Sequence, residues 1–328
     1  MTFSFHFYGL GPTQCTLTYT SNRRLVNLQL QKDIKISLSS DPMMHSQNSP
    51  EDRNMAERCF EGKAHAVAYK RYRVSPPQEL MDEVLHFLEK RSERLFNLAV
   101  DVGCGSGQGT VLLAPHFTTV VGTDISPAQI EQAKSHDHAS NVSYRQCPAE
   151  ELPFESGTVD LVTSMTAAHW FDRPRFLREA DRILKLGGCI ALISYTLNME
   201  LEFRENDAEL NRICQEFYTA LLPFRSSYLG PSSLDRYKEM YESIPYQNKE
   251  WHECLRVRRK MPLTDYIGMV ETFSSYQALL KKDPAQAQKL SEEIMDKLLN
   301  AMGTSSADTE VTVVIKYFYL LASKDKTD

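Results

Sequence analysis

The stretch Val100-Asp-Val-Gly-Cys-Gly-Ser-Gly107 carries three glycines at alternate positions, directly after a run of strand-forming residues. Glycine lets the chain turn sharply, and its missing side chain lets a ligand approach the backbone. Leu98-Ala-Val-Asp-Val102 reads as a short strand running into that turn. A helical pattern follows to about Ala114, and a helix start offers N–H groups with no partner inside the helix.

Outward from this corner the same rhythm repeats. Thr119–Asp124 reads as a second strand, and Ser126-Pro127 opens a helix with a capping hydroxyl and a proline in the first turn. Val142–Arg145 and Val159–Ser164 read as further strands. Arg173 to Leu184 reads as a helix that stops at Leu186-Gly187-Gly188, and Cys189–Tyr195 as a fifth strand. Strand and helix alternate with short joins, which predicts right-handed crossovers and a parallel sheet covered on both faces. Upstream, Leu80, Met81, Val84, Leu85 and Leu88 follow Pro76-Pro77 at helical spacing. Downstream, residues 198–249 read as helical and aromatic-rich. Two more helical stretches, 263–281 and 284–300, precede a closing strand at 310–322.

Two carboxylates sharpen the glycine signal, which dinucleotide enzymes also use in related form. Asp101, two residues before Gly103, would repel a pyrophosphate but attract an ammonium or a sulfonium. Asp124 ends the second strand, where a carboxylate can accept hydrogen bonds from both ribose hydroxyls. S-adenosylmethionine carries both cations, a ribose and no phosphate, so the pair favours a methyl donor over a nicotinamide cofactor.

Asp101-Val-Gly-Cys-Gly-Ser-Gly107, Asp124-Ile-Ser, Ala149-Glu-Glu-Leu-Pro-Phe154 and Leu184-Lys-Leu-Gly-Gly188 together resemble the successive motifs of class I methyltransferases over about residues 60 to 195. The resemblance implies a Rossmann-like, doubly wound, mostly parallel seven-stranded α/β sheet with helical cap elements. It implies that S-adenosylmethionine is the cofactor, wrapped at its methionine end by Gly103, Gly105 and Gly107. Asp124 would hold the ribose with Ile125 beside it, and Ala149 and Glu150 would face the adenine. One departure stands out. Pro148 occupies a position where many relatives carry an acid that contacts the adenine amino group, and proline offers neither a side-chain acceptor nor an N–H.

Ser164-Met-Thr-Ala-Ala-His-Trp-Phe-Asp172 follows the fourth strand, at the end of the sheet where α/β proteins bind ligands, so Met165 and its neighbours fall beside the methyl group. With Phe60-Glu-Gly-Lys and Tyr69-Lys-Arg-Tyr-Arg73, this segment resembles the trans-aconitate methyltransferase branch and its relatives. An N-terminal helical segment would then fold over the cofactor, with His169 and Trp170 at the floor of the acceptor pocket. A carboxylate acceptor needs no base, and Arg71 or Arg73 could clamp it in two-toothed fashion. A hydroxyl or amine acceptor needs one, and His169 is the candidate, or else a packed wall residue. Tyr69, Tyr266, Ser275 and Tyr276 complete the expected pocket.

The bulk properties bound these readings. With 328 residues, 42% of them hydrophobic, the chain can fold as one large α/β domain with caps. A net charge of −6 argues against nucleic acid as partner and, with the expected roof, for a small molecule. Seven scattered cysteines without a Cys-x-x-Cys pair read as free thiols in a reducing, cytoplasmic setting, with no metal site. No apolar run is long enough for a membrane span. Expected divisions are an extension without a fold of its own at 1–54, whose few acids also permit an organelle-targeting reading, and a helical lid at 55–97. A cofactor-binding core at 98–197, a helical insertion at 198–250 and C-terminal helices with closing strands at 251–328 complete the chain. The oligomeric state stays open, as does a non-catalytic cofactor-binding role.

Overall fold

A computed structural model describes residues 62–91, 96–135, 139–229 and 232–325; the expected extension at 1–54 lies outside them. Among the described residues the first elements are α1 (Lys63–Tyr72) and α2 (Gln78–Glu89). The wound portion follows as β1 (Leu98–Val102), α3 (Thr110–Leu113), β2 (Thr119–Asp124), α4 (Pro127–Lys134), β3 (Val142–Gln146), β4 (Val159–Met165), α5 (Arg173–Ile183) and β5 (Leu184–Tyr195). Then come β6 (Glu200–Glu202), α6 (Asp207–Leu221), α7 (Ser233–Ser243), β7 (Asn248–Pro262), α8 (Leu263–Glu271), α9 (Ser274–Lys282), α10 (Pro284–Met302) and β8 (Glu310–Ser323).

Strands β3, β2, β1, β4 and β5 lie side by side in that order and run parallel. Val100 sits between Val121 and Val162, so the glycine turn leaves from the middle of the sheet. β8 returns antiparallel against β5, and β7 runs antiparallel along β8 from Asn248 opposite Ser323 to Pro262 opposite Glu310. Side chains alternate between two cores. Ala99, Leu161, Ala191 and Ile193 face the layer that holds Leu80, Val84 and Leu88 of α2. Val100, Val102, Val162, Ile190 and Leu192 face Phe176, Ala180 and Ile183 of α5 with Tyr237 and Met240 of α7.

Three expectations need correction. The sheet has eight strands among the described residues, not seven, because β6 pairs with Val313 and its neighbours where β8 runs past the end of β5. Three residues are too few to show a period, and only the free edge of β8 makes them a strand. The segment 198–249 therefore is not uniformly helical, and β7 begins inside it; its Leu255, Val257 alternation against Arg256, Arg258 and Lys260 is a half-exposed edge pattern. The helix behind the glycine turn is four residues of α3, beginning three positions after Gly107. Among the described residues no helix is long and apolar enough to cross a membrane.

Asp160 pins the entrance of the central strands. Its Oδ2 accepts the N–H groups of Asn97 and Leu98, each at 2.9 Å, and its Oδ1 accepts from Lys185 Nζ at 2.7 Å. The carboxylate is only 4% exposed, against 32% for the lysine. Removing the carboxylate strands two backbone donors, whereas removing the lysine leaves the two backbone bonds in place. Asp160→Ala is expected to lower the unfolding free energy by about 2–4 kcal/mol in urea titration, and Lys185→Met by about 1 kcal/mol or less. Equal losses would show that the ion pair, not the backbone bonds, carries the effect.

Candidate active site

Backbone geometry at the glycine turn follows from its crowding. Gly103 has φ +71°, and a Cβ there would stand 2.4 Å from Ala167 Cβ; Gly107 has φ +84°, and a Cβ would stand 2.3 Å from Tyr144 Oη. Both positions combine a left-handed backbone with no room for a side chain. The N–H groups of Gly103 and Cys104 donate to the Thr123 carbonyl at 2.7 and 2.9 Å, which joins the mouths of β1 and β2. Asp124 completes that rim: Oδ2 accepts from Gly105 N at 2.9 Å and Oδ1 from Ser126 N at 2.8 Å. Burial raises its pKa, opposed by those two N–H groups. Beside it Ile125 leaves 37% of its surface exposed.

Asp101 lies in the floor of the adjoining cleft, 1% exposed. It accepts hydroxyl hydrogen bonds from Thr110 at 2.6 Å and Thr163 at 3.0 Å, and among the described residues it has no cationic partner. Burial, helped by the nearby Asp124 charge, pushes its pKa up to about 6 against the pull of the two hydroxyls. The walls of the cleft bring together Gly103, Gly105 and Met165 with Tyr69 and Arg73 from the N-terminal segment. Tyr69 rests over the turn, its Cε1 3.8 Å from where a Gly105 Cβ would be. Gln108, directly after the glycines, donates to the carbonyls of Lys70 and Arg73 at 3.0 Å each, and so ties that segment to the turn.

Arg73 reaches the cleft without any carboxylate in ion-pairing distance among the described residues. It donates instead to Thr272 and to the Tyr195 hydroxyl. Arg71 is exposed and lies over the Tyr72 ring, so only one of the two candidate arginines faces the cleft. After β4, Thr166 turns the chain with φ +61°, a sparsely populated conformation for a threonine. His169 and Trp170 follow in a single 3₁₀ turn. His169 is 9% exposed, and among the described residues its Nδ1 has no hydrogen-bond partner. Burial, with the positive charges of Arg236, Arg225 and Arg73, pulls its pKa down to about 3, so the imidazole is neutral at physiological pH. Trp170 lies nearly parallel to Tyr228 with ring centroids 6.4 Å apart.

Other expected residues fall elsewhere. Ala149 is buried, and Glu150 accepts the Asp172 N–H at 2.7 Å, so one of its oxygens braces the two loops against each other. Tyr266 spends its hydroxyl on Tyr218 at 2.8 Å, fully buried in the helical layer. Tyr276 bonds Ser291 and the Ala287 carbonyl there, and Ser275 is buried beside it; none of the three is among the cleft-lining residues. Among the described residues no cluster of three or more His, Cys, Asp or Glu is gathered for a metal. Sequence reading missed Tyr195, Gln108 and Thr272. Tyr195 was legible in principle, since it ends β5 on the ligand-facing side of the sheet; Thr272 lies in a helical corner with no local signal.

Because the folded-state pKa of Asp101 stands above the usual carboxylate value, the free protein holds that proton more tightly when folded. The stabilisation is complete below about pH 4 and is lost as pH rises through about 6. Asp101→Asn is therefore expected to stabilise the ligand-free protein by about 1–3 kcal/mol near pH 7.5, with the gain vanishing near pH 4. A gain independent of pH in chemical denaturation would contradict the assignment.

Comparison with known proteins agrees with this geometry. Residues 100–192 match the family model described as a methyltransferase domain. A methyltransferase of Dictyostelium discoideum is 32% identical over 243 residues, 74% of this chain and 88% of that protein. The chloroplastic tocopherol O-methyltransferase of Arabidopsis thaliana is 30% identical over 154 residues, but there the match spans 42% of this chain and only 44% of the relative. A solved type II methyltransferase from Anaeromyxobacter dehalogenans superposes with a TM-score of 0.62 at 24% identity, covering 78% of this chain and 100% of that one, and so shares its fold. The chain belongs to the class I S-adenosylmethionine-dependent methyltransferases, with S-adenosylmethionine as its cofactor.

Proposed function

We propose that this methyltransferase acts on a small-molecule acceptor through a carboxylate. The observation that carries this reading is a pair of uncompensated charges in the walls of one cleft: the buried Asp101 carboxylate and the Arg73 guanidinium. Each costs free energy to bury and lacks an opposite partner among the described residues. A cationic methyl donor answers the first and a carboxylate the second.

The residues suit the cofactor. Asp124 keeps lone pairs beyond its two backbone bonds for the ribose hydroxyls. Gly103 and Gly105 line the cleft and would present backbone to the methionine end, Gly107 lets the turn close against Tyr144, and Ile125, Ala149 and Glu150 would lie toward the adenine. When bound, S-adenosylmethionine supplies a methyl group made electrophilic by its sulfonium. The protein's part is alignment and exclusion of water, which can supply most of the barrier reduction. Arg73 would hold the acceptor oxygens, Tyr69 roof the cleft, and Met165 line it. A carboxylate is already ionised at neutral pH, so no proton has to leave. His169, whose basicity is suppressed and which like Trp170 is not among the cleft-lining residues, then has no proton to take.

A second reading of Arg73 has its own support. Gln108 and Tyr69 hold its segment directly on the glycine turn, which is also within the reach expected of the donor's own carboxylate. The two readings separate by which substrate's half-saturation constant responds.

Labelled methyl transfer from S-adenosylmethionine into a deproteinised metabolite extract tests the acceptor class. Methyl esters release their label as methanol in mild base, and methylated hydroxyls and amines do not. Base-labile label with stoichiometric S-adenosylhomocysteine is the expected result; base-stable label overturns the carboxylate, and absence of S-adenosylhomocysteine points to a non-catalytic binder. With the carboxylate, His169→Gln should lower the saturated rate by less than about tenfold, whereas a loss on the order of 10²–10⁴ would identify a working base. Arg73→Ala should raise half-saturation for the extract by about tenfold or more.

A further inference from the structure

The Arg73 guanidinium is fixed by groups distant in the chain. Its Nε–H donates to Thr272 Oγ1 at 2.8 Å, one terminal nitrogen to the Thr272 carbonyl at 3.3 Å, and the other to the Tyr195 hydroxyl. The rings of Tyr69 and Phe273 lie 4.7 and 4.8 Å from it. Thr272 is in turn immobilised: it is buried, its hydroxyl donates to the Met269 carbonyl at 2.6 Å, and its carbonyl also meets His65 Nε2 at 3.1 Å. Tyr195 is braced edge-on against Tyr317, with centroids 5.5 Å apart.

A guanidinium has five N–H donors. The three bonds leave one N–H on each terminal nitrogen, and with Tyr195 on the Nη1 hydrogen nearest Cδ those two point the same way, as a two-toothed carboxylate contact requires. Free in solution, a long arginine side chain samples many rotamers, and fixing it beforehand removes that cost from binding.

We infer that Tyr195 and Thr272 are positioning residues that set the Arg73 fork for a carboxylate in the cleft. This rests on the reading of Arg73 as an anion clamp. The carboxylate comes either from the acceptor or from the methyl donor itself, and the chemistry at the fork is the same. The arrangement links the end of β5 and the α8–α9 corner to a residue of the N-terminal segment, so the clamp exists only when all three are folded together.

The test measures two half-saturation constants on the full-length protein: one for S-adenosylmethionine, and one for serial dilutions of the metabolite extract with labelled methyl donor. Whichever constant Arg73→Ala raises, Tyr195→Phe and Thr272→Val are expected to raise the same one by about five- to tenfold, with little change in the saturated rate or melting temperature. Thr272→Ser, which restores the hydroxyl, should return it to near the wild-type value. Adding Tyr195→Phe to Arg73→Ala should produce no further rise, because a positioning residue has nothing left to position. If Arg73→Ala raises one constant while Tyr195→Phe and Thr272→Val raise neither, the positioning role is overturned and the clamp survives. Full additivity in the double variant also overturns it, by showing that Tyr195 meets the ligand itself. If Arg73→Ala raises neither constant, the clamp reading falls, and the positioning role with it.

Discussion

Asp124 holds the rim of the cleft in shape. A single carboxylate gathers the N–H of Gly105 from the turn after β1 and the N–H of Ser126 from the start of α4. The Thr123 carbonyl, one residue earlier, takes the N–H groups of Gly103 and Cys104. These bonds close the mouths of two neighbouring strands into one rigid edge. Tyr69 lies over Gly105, whose φ of +54° is the left-handed conformation that suits a glycine. Once Tyr69 is seated and Gln108 has taken the carbonyls of Lys70 and Arg73, the position of the arginine is determined by the backbone beneath it.

The electrostatics of the cleft run against stability, which is the usual sign of a working site. Asp101 could have been an asparagine and Arg73 a methionine without disturbing the strand pattern. Keeping both charged, with no opposite charge in reach among the described residues, costs folding free energy, and that cost is recovered when ligands of opposite sign enter. The same field explains His169: with three guanidinium groups nearby and little water, its imidazole resists protonation.

Much of this is legible in the sequence itself. The alternation of short apolar runs with capped helices locates β1 to β5, since buried parallel strands have few ways to be spelled, and of the quoted motif Asp101, Gly103 and Gly105 line the cleft. What stayed hidden depends on long-range pairing. β6 is a strand only because β8 has a free edge opposite it. Thr272 touches Arg73 across 199 positions of sequence, in a helical corner whose composition is unremarkable. Tyr266, Tyr276 and Ser275 read as pocket residues because buried polar aromatics and hydroxyls look alike in sequence whether they face a ligand or each other; here Tyr266 bonds Tyr218, and Tyr276 bonds Ser291 and the Ala287 carbonyl.

The claim on which the rest stands is that the rim held by Asp124 is where the methyl donor's ribose binds. Titration calorimetry of S-adenosylmethionine into Asp124→Ala tests it most directly, with circular dichroism to verify the fold. The account predicts an affinity loss of about tenfold or more, because two ribose hydroxyls lose a charged acceptor worth about 1.5–3 kcal/mol per hydrogen bond. An unchanged affinity in a folded variant would contradict it.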